Sequence, residues 1–563
     1  MASLTTKVVH GHHYWQIVTS KRINGKPRQI VLAHLGTADA LLARLQQKPG
    51  EPVKARIQQF GLLAAAWNLA QKLRLVSIID RYVPKRHQGA SVGQYLLLAA
   101  LNRLASPKSK AQMAKWYQQT ALRRWLPLSE KQLRSQRFWD AMDAVDEQAI
   151  RKIQTDLSQQ LVESFGIDVR CLCFDCTNFD TFIDSRTPSE IPQRGHAKSK
   201  RTDLRVVGLA LLVSTDFHIP LFSRTYPGNQ PDSVTFANVT EELIERYRLL
   251  VKNLEHVTLV FDKGNNSQEN LEELSRSYYH VVGSLVPSQH PDLLRIPLQR
   301  FQSLKDLEGV TAFRTFKEVF GRRWTIVLTR SQELLDGQLR GIAQVLGKRR
   351  RALSELQRKL KRSQQADARG KGYTWESLEA HAKKLSSGQY IQNIMRVKVQ
   401  RYRRKLSLTY RIDEQALKTL SETTLGKRIL FTDNHGWTTE EIILAYRSQH
   451  HVEAAFRSMK NPYFVGWEPM YHWTDQKIRV HALYCVIALI LAGLLHREAR
   501  HAGLELGLEA ILEELSSIDE VINLYASTPG KAGRLRAATT YTELTSISSR
   551  LTDIFQLNNL KVR

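Results

Sequence analysis

Three carboxylates stand out by their surroundings in this chain of 563 residues. Asp175 follows the apolar run Val169 to Phe174, and Asp262 follows the run His256 to Phe261. Both runs read as strands, and residues at strand ends in an open α/β sheet project where ligands bind. Glu453 falls in a helical stretch between Tyr446 and Lys460. At about 100° per residue, Tyr446, Gln449, Glu453, Arg457 and Lys460 share one stripe of that helix. Val452, Ala455, Phe456 and Met459 form a separate apolar face. An acid among cations suits phosphoryl chemistry. The carboxylate offers a hard oxygen ligand to Mg²⁺, and the cations and tyrosine hydroxyl can hold phosphate oxygens. Two such ions about 3.5–4 Å apart can activate an attacking oxygen and stabilise a leaving one. Taken alone, the same stripe describes an amphipathic surface helix with ordinary charge pairing. The two strand-end acids tip the reading towards a site.

The elements that must position these acids are legible in outline. Strands are predicted at Val169 to Phe174, Val206 to Ser214, Ile219 to Tyr226, His256 to Phe261 and Tyr279 to Leu285, with a helix from Val234 to Leu250. That order predicts an α/β mixed sheet of five strands with helices. Before it, two β-prone runs flank the turn Asn24-Gly25. Helical periodicity follows, with Ala64 to Leu75 and Val92 to Leu104 as helices and Ser91 as an N-cap. Basic and aromatic residues interleave there: Lys108, Lys110, Lys115, Trp116, Tyr117, Arg123, Arg124 and Trp125. This is a candidate DNA-binding surface or, equally, a helical bundle with a solvated basic face. After the fifth strand, Trp324 to Leu328 reads as a strand and Ser331 to Arg362 as a long basic helix containing Lys348 to Arg351. A second basic run spans Arg401 to Lys405. Ser363 to Gly372 reads as a flexible joint. Gly426 to Phe431 resumes the strand pattern, and Thr438 with Glu441 forms a capping box.

These changes of pattern divide the chain into a β-hairpin unit (1–50), a helical, candidate DNA-binding domain (51–165), the first part of the α/β core with both aspartates (166–290), an insertion with basic helices (291–428), the second part of the core with the glutamate helix (429–500) and a C-terminal helical region (501–563). A chain this long exceeds one compact core.

Lys and Arg total 82 against 54 Asp and Glu, a net charge of +28. That excess attracts polyanions, and nucleic acid is the first partner to expect. The four cysteines give no zinc-finger spacing, and Cys171, Cys173 and Cys176 lie in an apolar run that suits core packing. Met1 to Val9 is too polar for a secretory signal. The run Ala482 to Leu495 is too short to span a bilayer and reads as a buried helix. No membrane association and a cytoplasmic setting follow as expectations.

The ordered motifs resemble bacterial insertion-sequence DDE transposases of the group with a Tyr-x2-Arg-x3-Glu-x6-Lys signature. Here the signature is Tyr446, Gln449, Glu453 and Lys460, with Gln449 in place of the arginine and Arg457 on the same stripe. The segment Gly195 to Leu204, with Lys198 and Arg201, is similar to a basic motif of that group, with Ala197 in place of its serine. Tyr226 to Ser233 is similar to its Gly-Asn-x-x-Asp element, Phe261 to Ser267 to its second-aspartate motif, and Met470 to Asp475 with Ile478 and His481 to the segment after the glutamate helix. The opening hairpin, Asn24 to Arg28 and on to Leu35-Gly36, is similar as well. The likeness spans most of residues 12 to 500.

The resemblance implies an RNase H-like core interrupted by the insertion, with Asp175, Asp262 and Glu453 as catalytic ligands of two Mg²⁺ or Mn²⁺ ions. It implies DNA contacts by Tyr446, Gln449, Arg457 and Lys460, and by Lys198 and Arg201. It implies a synaptic homodimer acting on the terminal inverted repeats of an insertion sequence and on target DNA, by cut-and-paste cleavage and strand transfer, in a bacterial, nucleoid-associated setting. Asn229 and Asp232 read as closing a turn, and His481 as a core histidine. Two other classes fit less of the sequence: a catalytically silent DNA-binding descendant, and another nuclease of the RNase H fold.

Overall fold

Alternating and continuous apolar runs rich in Val, Leu and Phe form a central nine-stranded sheet in a computed structural model of the protein. The structure describes residues 2–23, 26–46, 52–84, 89–250, 257–275, 279–365, 372–403, 405–525 and 536–560. The predicted Asn24-Gly25 turn and the middle of the Ser363 to Gly372 joint lie outside them. Two compact units are present: one comprises Met1–Ala65, Gln118–Trp125 and Glu513–Arg563, the other Ala66–Tyr117 and Leu126–Leu512.

The smaller unit holds two three-stranded antiparallel sheets. Ala2–Val9, His12–Ile23 and Lys26–Gly36 form one, so the predicted pair of β runs has a third partner. Lys54–Gln59, Asp519–Tyr525 and Arg536–Tyr541 form the other. The C-terminal region, expected to be helical, therefore contributes two strands. Pairing with Lys54–Gln59 across more than 450 positions of sequence is a tertiary effect that local propensity does not report.

The strands of the large sheet are numbered along the chain: β1 Cys171–Thr181, β2 Arg205–Ser214, β3 Pro220–Pro227, β4 Val257–Phe261, β5 Tyr279–Leu285, β6 Gln302–Ser303, β7 Val310–Val319, β8 Arg322–Ser331 and β9 Lys427–Thr432. Their spatial order is β6-β7-β8-β9-β5-β4-β1-β2-β3. β1, β2 and β3 are antiparallel neighbours, whereas β1 with β4 and β4 with β5 are parallel. The five predicted strands are thus contiguous. The sheet does not stop at five, because β9 pairs with β5 and carries β8, β7 and β6 beyond it. Three of the four added strands, β6, β7 and β8, come from the segment expected to be a separate insertion. Both faces of β4 are buried, as parallel strands covered on two sides require.

Six helices matter for the site: α1 Val92–Ala105, α2 Asp232–Leu250, α3 Gln332–Ser363, α4 Thr439–Arg447, α5 His450–Met459 and α6 Asp475–His501. Ser91 caps α1 in a capping box with Gln94, and Thr438 caps α4 in one with Glu441. α3 is capped by the Ser331 side chain. Its apolar stripe, Leu335, Ile342, Leu346, Leu353, Leu356 and Leu360, packs against Leu378, Ile391, Ile394 and Leu408, so the excursion between β8 and β9 has a core of its own. α6 has 27 residues and is long and apolar enough to cross a membrane, longer than the sequence suggested. Here 94% of its apolar window is buried inside the protein, against α1 and β3 among others. Of the basic–aromatic interleaving, Lys110, Trp116 and Tyr117 are core residues rather than surface.

Candidate active site

Strand register brings the two aspartates side by side. The parallel ladder of β1 and β4 pairs Cys171 with Thr258 and ends at Phe174 with Phe261. The next residue on each strand is an acid, Asp175 and Asp262, and neighbouring strands lie about 4.8 Å apart. Beyond that point β4 stops and a short 3-10 turn, Lys263–Asn265, begins, whereas β1 continues to Thr181. Asp175 therefore lies within its strand, not after it as the sequence suggested. Antiparallel pairing with β2 (Asp175 with Leu211) holds the strand past the acid. The gap left by β4 opens a cleft of about 530 Å³.

Asp175, Asp262 and Glu453 all line this cleft, with Asp232, Lys198, Arg457 and Lys460. The neutral groups Thr177, Asn265 and Phe456 complete much of the wall. Residues 175 and 177 face it together because side chains two apart share a strand face. Two close backbone approaches set the far wall. A Cβ on Gly195 would lie 2.1 Å from the carbonyl oxygen of Gly228, and one on Gly228 would lie 1.9 Å from that of Val206. Only glycine permits this stacking, which brings the Lys198 loop and the start of α2, with Asp232, to the cleft that holds Asp175. The ammonium of Lys198 donates to the carbonyl of Cys176, and its backbone N–H donates to Asn178 Oδ1 at 3.0 Å.

The glutamate stretch is not one helix. α4 ends at Arg447 and α5 begins at His450. At the junction Gln449 N–H donates to the Tyr446 carbonyl (3.3 Å) and His451 N–H to the Ser448 carbonyl (2.9 Å), bonds that reach back three residues instead of four. Such turns advance about 120° per residue, so the stripe drawn at 100° divides. Glu453, Arg457 and Lys460 remain together in the cleft. Gln449 sits half-buried at the junction, outside the cleft lining. Tyr446 is buried, and its hydroxyl donates to Ser284 Oγ (3.0 Å) and to Asp262 Oδ1 (3.3 Å). Arg201 is also outside the lining and pairs with Asp203.

Two residues that the sequence reading did not place in the site belong to it. Ser284 on β5 donates to Asp262 Oδ1 (3.3 Å), and its own carbonyl accepts from Asn266 Nδ2 (2.8 Å). It positions the second aspartate. Asp232, read as a turn residue, is a fourth acid of the cleft, with Tyr226 donating to it at 3.3 Å. The Gly-Asn-x-x-Asp motif was the available signal.

Electrostatics follow from this crowding. Burial pushes the Asp175 carboxyl up to about 6; Lys198 and the Cys176 backbone N–H oppose the shift, and Asp232 and Asp262 add to it. Lys460 is lowered, first by burial and then by Lys198. Its ammonium donates to Thr177 Oγ1 at 3.0 Å. Tyr446 is raised to about 12 by burial and by Asp262, so it remains a donor. Cys173 and Cys176 are buried, and desolvation holds both thiols protonated.

The donor set is all oxygen, which suits a hard divalent cation. Asn265 adds an observation of its own: it is 2% exposed, lines the cleft, and its Oδ1 has no hydrogen-bond partner among the described residues. A buried carbonyl oxygen beside carboxylates is chemically suited to a hard cation or its water. Among the described residues no three His, Cys, Asp or Glu side chains converge into a metal-holding group. The acids share the cleft walls without closing on one point.

A family model described as transposase DDE domain matches residues 172–491, more than half of the chain. Among solved structures, the chain is similar to a piggyBac transposase in a cryo-EM structure of its synaptic complex with hairpin DNA, at 9% identity and a TM-score of 0.38, over 82% of each chain. No curated protein matches the sequence.

Proposed function

The chain belongs to the transposase DDE domain family, whose members generally use divalent metal ions, and from that premise we propose that it cuts DNA at the terminal inverted repeats of an insertion sequence and joins the freed ends to target DNA. The observation that carries this reading is the meeting of three acids from separate parts of the chain, Asp175, Asp262 and Glu453, on one cleft with Lys198 and Lys460. The five contiguous strands β3-β2-β1-β4-β5, three antiparallel and two added in parallel, agree with an RNase H-like core. The segment boundaries read from the sequence, a synaptic homodimer, a bacterial insertion-sequence origin and a cytoplasmic, nucleoid-associated setting belong to the same proposal.

Asp175, Asp262 and Glu453, with Asn265 Oδ1, would hold Mg²⁺ or Mn²⁺. Bound there, two such ions supply charge neutralisation and Lewis acidity to phosphodiester exchange. The chain's own residues do the rest. Ser284 and Tyr446 fix the Asp262 carboxylate through one shared oxygen, Oδ1. Lys460, Lys198 and Arg457 offer cations to phosphate oxygens in the cleft. In cleavage, a water oxygen bonds to phosphorus, the bond from phosphorus to the 3′-oxygen breaks, and that oxygen leaves with a proton. In joining, the freed 3′-oxygen bonds to a phosphorus of target DNA, the bond from that phosphorus to its own 3′-oxygen breaks, and the released oxygen takes the proton that the attacking hydroxyl gives up.

The test is cleavage of linear DNA carrying the repeat ends that flank the coding region, with and without Mg²⁺, comparing wild type with Asp262→Asn and Glu453→Gln. Metal-dependent nicking at the repeat boundary is expected, falling to the enzyme-free level in both variants while DNA binding persists. Full activity in either variant would remove that acid from the site. Binding without cleavage by the wild type, in Mg²⁺ and in Mn²⁺, would leave a silent DNA-binding descendant as the better reading.

A further inference from the structure

We infer that a second cleft, whose wall residue Tyr446 is hydrogen-bonded to Asp262 of the acidic one, is a subsite for the DNA backbone; this deepens the reading of the chain as an enzyme acting on DNA and rests on it. The cleft measures about 540 Å³. Three arginines line it from three different elements: Arg340 on α3, Arg428 on β9 and Arg447 on α4. All three are exposed. Glu333 is the one acid in its wall. Gathering three guanidinium groups around one concavity raises the local positive potential, which a polyanion relieves. The planar guanidinium fork matches phosphate geometry, so the ligand the cleft fits is a phosphodiester backbone.

Its position gives the cleft a role. Tyr446 lines it, and the Arg428 guanidinium lies 5.9 Å from the centre of the Tyr446 ring. The hydroxyl of the same tyrosine donates to Asp262 Oδ1 in the acidic cleft. Tyr446 is therefore the partition between a cleft lined by acids and a cleft lined by arginines. A strand with one phosphate at the acids would cross Tyr446 and lay its neighbouring phosphates among the arginines. The walls are built on regular elements. The Ser331 side chain caps α3 where it leaves β8, and Gln338 Oε1 accepts from Gly426 N–H at 2.7 Å, which holds α3 against the entry to β9. Sites on such elements are held more firmly than sites on loops.

The experiment measures affinity for a duplex of about 40 base pairs of arbitrary sequence, without divalent ions, across a NaCl series; a site of a few phosphates fits well within that length. The proteins are wild type, the triple variant Arg340→Ala/Arg428→Ala/Arg447→Ala, Glu333→Gln, and Arg170→Ala as a removal of charge elsewhere. The slope of log affinity against log salt should fall by about 2–3 in the triple variant, close to one unit per lost phosphate contact. Affinity at low salt should fall at least tenfold. Glu333→Gln should bind more tightly than wild type, and Arg170→Ala should keep the wild-type slope. A wild-type slope in the triple variant overturns the subsite, as does an equal loss in Arg170→Ala. Should the triple variant fail to fold, Glu333→Gln decides alone, and unchanged affinity in it overturns the proposal. If wild type binds steeply and cuts while these variants behave like it, only the subsite falls. A wild type that neither binds nor cuts DNA removes the wider reading and the subsite together.

Discussion

Asp175 is half-buried beside two other acids, and its carboxyl is pushed up to about 6, chiefly by desolvation. A carboxyl with a raised folded pKa binds its proton more tightly in the folded chain than in the unfolded one. The fold is therefore favoured below about pH 4, loses stability as pH rises towards 6, and stays weakened above it. A shift of about two units corresponds to at most roughly 3 kcal/mol. Asp175→Asn should accordingly raise the thermal midpoint of the metal-free protein at pH 8 while abolishing cleavage. Mg²⁺ should raise the midpoint of the wild type more than that of the variant. A variant less stable than wild type in EDTA at pH 8 would contradict this account of the site.

At the scale of elements, the segment after α5 is held by α1 and α6. Arg103 on α1 is 1% exposed and donates to the carbonyls of Gly466 (3.4 Å), Trp467 (3.3 Å) and Pro469 (3.4 Å) and of Lys108 (2.6 Å). His481 on α6 is fully buried and bonds to the Trp467 carbonyl at 2.9 Å, so it is a core residue as its setting in the sequence suggested. Lys110 lies in the same pocket, 4.2 Å from the centre of the Tyr484 ring. Its ammonium has no hydrogen-bond partner among the described residues, and burial, with Arg103 nearby, holds it well below the usual lysine range. A lysine depressed in the fold weakens it at low pH, and stability returns as pH rises towards the ordinary lysine value. Lys110→Met should stabilise the protein by about 1–4 kcal/mol, the range seen when buried charges give way to apolar side chains. It should also flatten that pH dependence in thermal melts. A destabilised variant would mean that the cation is needed there.

For the whole molecule, the net charge of +28 is the dominant property. Affinity spread over many phosphate contacts should fall linearly on a plot of log affinity against log salt. Single alanine substitutions at dispersed surface cations should each reduce the slope by no more than about one. A flat plot for the full chain would count against a large phosphate footprint. The same charge distribution separates binding from chemistry: removing one acid from the cleft should end cleavage without reducing affinity.

The local elements and the residues that carry charge were legible before any fold was known. Five apolar runs became five contiguous strands, Ser91 and Thr438 became caps, and Asp175, Asp262 and Glu453 could be picked out because each adjoins an element with a clear period. Those signals act over a few residues, so they survive without knowledge of the fold. Tertiary structure alone decided what meets what. Register between β1 and β4 set Asp175 beside Asp262, and the pairing of β9 with β5 enlarged the sheet from five strands to nine. The touching of Gly195 and Gly228 brought Lys198 and Asp232 to Asp175, and a few three-residue hydrogen bonds at the α4–α5 junction turned Tyr446 towards Ser284 and kept Gln449 out of the cleft. The strand pairings and the glycine contact depend on backbone groups far apart in the chain finding one another, and the free energy of that pairing is invisible to a reading that moves along the sequence one window at a time; the junction is a local change of helix geometry that a fixed period of 100° does not register.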